Sequence, residues 1–415
     1  MITTRRTLRS FVTAGVGFSV ALLSAIPMIP GARAATSYDA LQVSNSQDLG
    51  PGVNLSKFSI DLGTRTVTGD LVTANLADPK VRIGLLHPAA VGARAQVSTM
   101  TATQHAVAGV NGDFFNIDES QHPGVEATGS SDGPEIVAGH ALKAAVPDAQ
   151  RFGPAMAPGT STRDVIGVGN DGKARIGSLR LTGTVWMGRH SFPLRGLNQY
   201  ALPENGVGAF TSAWGDVSRM RAVCGSDTQR AAPCSTDTAE VTVREGRVSA
   251  VSQTVGAGRI GRDETVLVGR EDGADMLRKL HVGQRVHLRD RLVADGVPFR
   301  VAVGGAPILR NGAVLPGVDG TVAATRTAAG VSSDGRKLFL VALDGSAEAG
   351  GGLTLQQLAG VLVQFGAANG INLDGGGSTT CAVRLPGSDQ VQVISKRAPG
   401  VPERAVANGL GVWTS

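Results

Sequence analysis

Short apolar or alternating runs bounded by turn residues recur along most of this chain. They predict strands at 58–60, 66–72 and 81–86, with Asp61-Leu62-Gly63 and Asp78-Pro79 between them. Ser98 is placed to cap a short helix reaching Gln104, and 106–110 then reads as a strand that ends on the polar loop NGDFFN at 111–116. From about 154 to 298 the pattern softens into strand-and-turn units, among them 165–176 and 240–251, with a helix near 273–280. Beyond 299 the apolar runs become denser. The strand 299–303 leads into GGAPILRNG at 304–312, and 337–343 reads as a buried strand closing on Asp344-Gly345. Thr354 opens TLQQ, a capping box in which Gln357 reaches back to the N-cap. Leu355, Leu358, Leu362 and Phe365 follow at helical spacing, so this helix lays one apolar stripe on a sheet. Asn369-Gly370 ends the connection and 371–373 begins the next strand. Strand, helix and strand within about 35 residues predict a βαβ unit with parallel strands and a right-handed crossover. That arrangement puts Asp344 and Asp374 at one sheet edge, beyond which ligands of such sheets bind, although Asp344 before Gly345 also suits an ordinary turn.

The predicted class is α+β: a sheet-rich mixed sheet with packed helices, a C-terminal βαβ unit and an inserted strand-rich region. The 57 glycines and the 4% aromatic content fit many short strands and turns. The first 34 residues carry Arg5-Arg6, an apolar stretch from about 12 to 29 and Ala32-Arg33-Ala34, the marks of an export signal. The paired arginines point to the twin-arginine type, with an ordinary secretory signal as the alternative. Removing 1–34 takes away four arginines and no acid, so the formal charge falls from +5 to +1. Nucleic acid is therefore not an expected partner, and no later apolar segment is long enough to span a bilayer. The expected parts are the signal at 1–34, an N-terminal part at 35–154, a strand-rich elaboration at 155–298 and a C-terminal catalytic part at 299–415. In the oxidising compartment that export implies, Cys224 and Cys234 are placed to close a small disulfide, which leaves Cys381 as a buried thiol.

The sharpest chemistry sits at 371–380, INLDGGGSTT, where an apolar run stops on Asp374 and three glycines lead into Ser378, Thr379 and Thr380. Glycine admits close approach to main-chain N–H groups, so the loop suits an oxyanion or phosphate, with a flexible hairpin turn as the alternative. Two familiar strings fail on context. GAGRIG at 256–261 is followed by a strand pattern where a dinucleotide site needs a helix, and GSSDG at 129–133 lacks the buried strand of a nucleophile elbow. The seven histidines include no HxxxH pair for zinc.

The ordered motifs NGDFFN at 111–116, GGAPIL at 304–309, RTAAGV at 326–331, LFLVALDG at 338–345, INLDGGGSTT at 371–380 and RAVANGLGV at 404–412 resemble the phosphodiester glycosidase family. The resemblance runs from about residue 50 to the end and is tightest at 300–412. Asp113, where some members carry a small residue, and the stretch 155–298 depart from it. It implies hydrolysis of sugar-1-phosphodiesters at the glycosidic C–O bond, giving free sugar and a phosphomonoester; with the export signal, the expectation is a secreted hydrolase acting on bacterial envelope glycopolymers or related glycoconjugates. Asp374 suits the carboxylate that supports an oxocarbenium-like centre or activates water, and Glu126 its partner acid or base. Arg326 and the amides of Gly375, Gly376 and Gly377 suit charge stabilisation at phosphate. Asn111, Asp113, Gly305, Ser378, Thr379, Arg404 and Asn408 complete the expected substrate-binding set. Asp113, Asp344 and Asp374 are candidates for Ca²⁺ or Mg²⁺, without EF-hand spacing. The alternatives are a metal-dependent phosphodiesterase cleaving P–O and a noncatalytic carbohydrate-binding envelope protein. Sugar, aglycone, stereochemical course and oligomeric state stay open.

Overall fold

Alternation decides the centre of the molecule. In the strand Lys337–Leu343, Leu338, Leu340 and Ala342 face one core while Phe339, Val341 and Leu343 face another, so the strand is buried on both sides. It lies inside an eight-stranded sheet in the order Leu41–Gly50, Val53–Asp61, Thr66–Asn75, Lys337–Leu343, Thr327–Val331, Asn369–Asn372, Ala306–Arg310 and Ala313–Val314. One face packs on a five-stranded sheet ordered Val391–Val393, Cys381–Arg384, Ala108–Asn111, Gly409–Trp413 and Arg82–Leu86, whose Ile83, Leu85, Val110, Val383, Leu410 and Val412 share its core. The other face carries the last of the three described α-helices, α1 (Val97–Thr103), α2 (Asp272–Arg278) and α3 (Leu355–Gln364), through Leu355, Leu358 and Leu362. The computed structural model describes Met1 and residues 41–415; the export signal expected at 1–34 lies, Met1 apart, outside the described residues.

Two further sheets hold most of the middle of the chain. One joins Asp164–Gly169, Ala174–Met187 and His287–Ala294 to Phe299–Gly304 and Glu135–Val137, thus drawing strands from both sides of positions 155 and 298. The other is built on Val207–Phe210, Thr238–Arg244, Arg247–Ser252 and Glu264–Arg270, with helix Asp272–Arg278 against it. Among the described residues only three α-helices occur, so the fold is sheet-rich.

Several expectations change on contact with the fold. The strands Lys337–Leu343 and Asn369–Asn372 run the same way but are not hydrogen-bonded to each other, because Thr327–Val331 lies between them and is antiparallel to both. The crossover through α3 therefore spans an inserted strand instead of closing a paired βαβ unit. Asn369 and Gly370, expected to end the connection, already belong to the strand. Ser98 does not cap its helix, which starts at Val97 with Gln96 as the uncapped N-cap; its N–H and hydroxyl both bond the Glu403 carboxylate. Thr354 does cap α3, accepting from Gln357 N–H while the Gln357 side chain takes the Thr354 N–H. Cys224 and Cys234 are disulfide-bonded, and Cys381 is a buried thiol.

Candidate active site

The strand Asn369–Asn372 delivers Leu373 and Asp374 to a junction of strand ends held by Asn111. Leu373 N–H donates to Thr327 C=O and Asp374 N–H to Gly112 C=O. Asn111, fully buried, donates from Nδ2 to the Asp374 carbonyl at 2.7 Å and accepts at Oδ1 from Thr327 Oγ1 (2.6 Å) and Thr380 N–H (3.0 Å). One amide side chain thus fixes where Asp374 leaves the sheet. Beyond it opens a cavity of about 640 Å³ lined by Phe114, Phe152, Asp319, Thr325, Arg326, Glu348, Asp374, Gly375, Gly376 and Arg404, among others.

Asp374 carries the most perturbed carboxyl on this cavity. Burial raises its pKa to about 7, against the opposing pull of the Ser378 hydroxyl, the Gly375 N–H and the Arg404 charge. Ser378 is itself buried and accepts from Arg404 Nη1 at 3.2 Å, so Arg404, Ser378 and Asp374 form one chain of polar contacts. Arg326 is buried at 6% exposure, with its Nε on Leu353 C=O (3.4 Å) and its Nη2 on Val322 C=O (3.0 Å). No ion pair to it forms among the described residues, although Asp319 and Glu348 are close enough to support its charge, which burial opposes. A buried cation held by carbonyls and facing a cavity is built to meet an anion.

The three glycines make room instead of offering free amides. A Cβ on Gly375 would sit 2.5 Å from the Thr325 carbonyl, on Gly376 2.0 Å from a Glu348 carboxylate oxygen, and on Gly377 2.5 Å from Arg404 Nη2. Their N–H groups are already engaged: Gly375 by Asp374 Oδ1 (2.9 Å), Gly376 by Thr325 C=O (2.8 Å) and Gly377 by Glu348 Oε1 (3.1 Å). Only the last partner, a solvent-exposed side-chain carboxylate, is one a ligand can replace.

The expected site residues therefore divide. Asp374, Arg326, Gly375, Gly376 and Arg404 line the cavity, with Gly377 and Ser378 directly behind it. Glu126, the expected partner acid, does not: it is exposed and lies outside the lining. Asn111 and Asn408 are buried ties, Asn408 accepting from Asp113 N–H (2.9 Å) and donating to Glu135 Oε1 (2.7 Å). Asp113 accepts from the Phe114 and Gly133 N–H groups, and burial, with Asp132 beside it, pushes its pKa up to about 8. Gly305 packs against the Asn372 carbonyl, and Thr379 is buried away from the lining. Asp344 is tied to Thr68 Oγ1 (2.6 Å) and Lys396 N–H (2.7 Å) and is not part of the cavity. The metal candidates Asp113, Asp344 and Asp374 thus do not converge, and among the described residues no group of three or more His, Cys, Asp or Glu side chains could hold an ion. Glu348, Asp319 and the ring of Phe152 escaped the sequence reading because they lie in loops without a motif. The one available signal was the position of Glu348 in a glycine-rich loop just before the capping box.

Residues 237–413 match the phosphodiester glycosidase family model, which bears out the resemblance. No curated protein matches the chain. Among solved structures, a hypothetical protein from Synechocystis is similar at a TM-score of 0.67 and 21% identity, covering 91% of this chain. This chain spans only 64% of the length of that protein. A protein of Burkholderia pseudomallei K96243 described as exported is similar at a TM-score of 0.67 and 19% identity, covering 92% of this chain and 99% of its own. The catalytic domain of zebrafish N-acetylglucosamine-1-phosphodiester alpha-N-acetylglucosaminidase, auto-inhibited by its pro-peptide, aligns at a TM-score of 0.43 and 16% identity over 90% of this chain and 88% of its own. At such identities the first two likenesses concern the fold alone. Among the described residues no helix is long and apolar enough to cross a membrane.

Proposed function

We propose that this chain is an exported hydrolase that cleaves the glycosidic C–O bond of sugar-1-phosphodiesters, with envelope glycopolymers as the substrate class. The observation that carries the reading is Arg326, a buried guanidinium without an ion-pair partner among the described residues, opening on the same cavity as the perturbed Asp374. The family match over 237–413 points the same way. A phosphodiester leaves as a weakly basic oxyanion, so charge neutralisation matters more than proton donation. Arg326 and Arg404 supply it while the electron pair of the breaking C1–O bond moves onto the phosphate oxygen. Asp374, as carboxylate, stabilises the oxocarbenium-like carbon or takes the proton of the water that adds to it. The Phe114 and Phe152 rings give the sugar an apolar wall.

Hydrolysis of a panel of sugar-1-phosphodiesters in oxygen-18 water tests this. Label is expected in the released sugar, and Asp374→Asn is expected to abolish release. Label appearing in phosphate would overturn the C–O mechanism.

A further inference from the structure

We propose that Glu348 is the resident occupant of a phosphate seat and sets how tightly that seat holds an oxyanion. The inference rests on the phosphodiester reading of the cavity and goes beyond it by assigning a side chain that competes with the ligand. After the strand Lys337–Leu343, the segment 345–352 brings Glu348 to the cavity lining. There Ala347 is pinned to Thr325 by two hydrogen bonds, Thr325 N–H to its carbonyl at 3.0 Å and its own N–H to Thr325 Oγ1 at 3.1 Å. This clamp aims the next side chain. Glu348 Oε1 accepts from the Gly377 N–H at 3.1 Å and from Arg404 Nη2 at 3.2 Å, while Oε2 stands 2.0 Å from where a Gly376 Cβ would be. Arg404 Nη1 is meanwhile fixed on the Ser378 hydroxyl at 3.2 Å.

A backbone N–H and a guanidinium directed at one carboxylate oxygen are the donors that would receive a phosphate oxygen. The side chain of Glu348 is 67% exposed and that of Arg404 35%, so solvent screens the pair and its hold is weak. An incoming phosphate of equal or greater charge can displace it. The carboxylate therefore occupies the seat in the free protein, withdraws when phosphate arrives and lowers its apparent affinity by the fraction of time the seat is closed. If Glu348 is seated between half and nine-tenths of the time, removing it tightens binding by about two- to tenfold.

Titration of the full chain with inorganic phosphate, followed by calorimetry, tests this on the wild type, Glu348→Ala, Glu348→Gln and Arg404→Gln. The two Glu348 variants are expected to bind phosphate more tightly by that factor, and Arg404→Gln to bind it more weakly than the wild type. An affinity that stays unchanged or falls in both Glu348 variants overturns the proposal, as does phosphate binding that is absent throughout. The readout needs no turnover, so oxygen-18 label in phosphate would sink the C–O mechanism and leave the seat standing.

Discussion

Asp374 trades stability for reactivity, and the trade has a measurable sign. A carboxyl whose pKa is near 3.8 in the unfolded chain and about 7 in the folded one binds its proton more tightly when folded. Folding stability from this group is therefore present in full below pH 4 and is lost as pH rises towards 7, by at most about 4 kcal/mol. Asp374→Asn removes the titration, so its melting temperature is expected to exceed that of the wild type at pH 8 and to approach it at pH 4. A variant less stable than wild type at pH 8 would contradict burial as the cause of the shift. Because the reacting form is the carboxylate, kcat/KM of the wild type is expected to fall on the acid side of about pH 7. Asp374, Arg326 and Arg404 were legible in sequence because each stands in a motif. Asn111, Asp113 and Asn408 stand in motifs too, yet the fold spends them on tying strand ends together. Polarity at a strand end marks a junction as readily as a ligand contact, and only partners distant in sequence tell the two apart.

The start of α3 holds the cation. Leu353, whose carbonyl accepts from Arg326 Nε, directly precedes the N-cap Thr354. Thr354→Ala removes an acceptor from the Gln357 N–H and is expected to cost about 1 kcal/mol, seen as a lower urea midpoint with an unchanged slope. Leu353 itself stays paired with Ala324 through two backbone hydrogen bonds, so KM for the sugar phosphodiester is expected to stay near the wild-type value; a raised KM would show that the cap also positions the carbonyl that holds Arg326. This element was readable in advance because a capping box and an i, i+3, i+7 stripe are local. The pairing around it was not. The strand Thr327–Val331 forms a hairpin with Lys337–Leu343, but its pairing with Asn369–Asn372 reaches across the helix, and a helix between two strands carries the same local signal whether or not a third lies between them.

At the scale of the whole molecule, the middle of the chain reaches back to buttress one wall of the cavity from behind, and one disulfide holds that reach in place. Cys224–Cys234 closes a loop that carries Arg230 and Ala232. Arg230 lies over the Phe152 ring at 4.1 Å and donates to the Arg151 carbonyl at 2.7 Å; Arg151 in turn lies over Phe114 at 5.5 Å. The carbonyl of Ala232 is 2.9 Å from His122 Nε2, whose Nδ1 meets Glu119 at 2.6 Å, and Glu119 is bonded to the buried Arg221. Two of the three cavity phenylalanines, Phe114 and Phe152, are thus backed by arginines whose geometry depends on this loop. With the cysteines 10 residues apart, opening the bond is expected to cost about 2–3 kcal/mol through restored chain entropy in the unfolded state. If its role ended there, a Cys224→Ala/Cys234→Ala variant assayed well below its melting temperature would keep wild-type kinetics. Because the loop also buttresses the aromatic wall, KM for the sugar phosphodiester is expected to rise severalfold in that variant, while inorganic phosphate, which needs only the arginine side of the cavity, binds as before. Equal loss of sugar-phosphodiester and phosphate binding would mean that the loop supports the cavity as a whole instead of its aromatic wall.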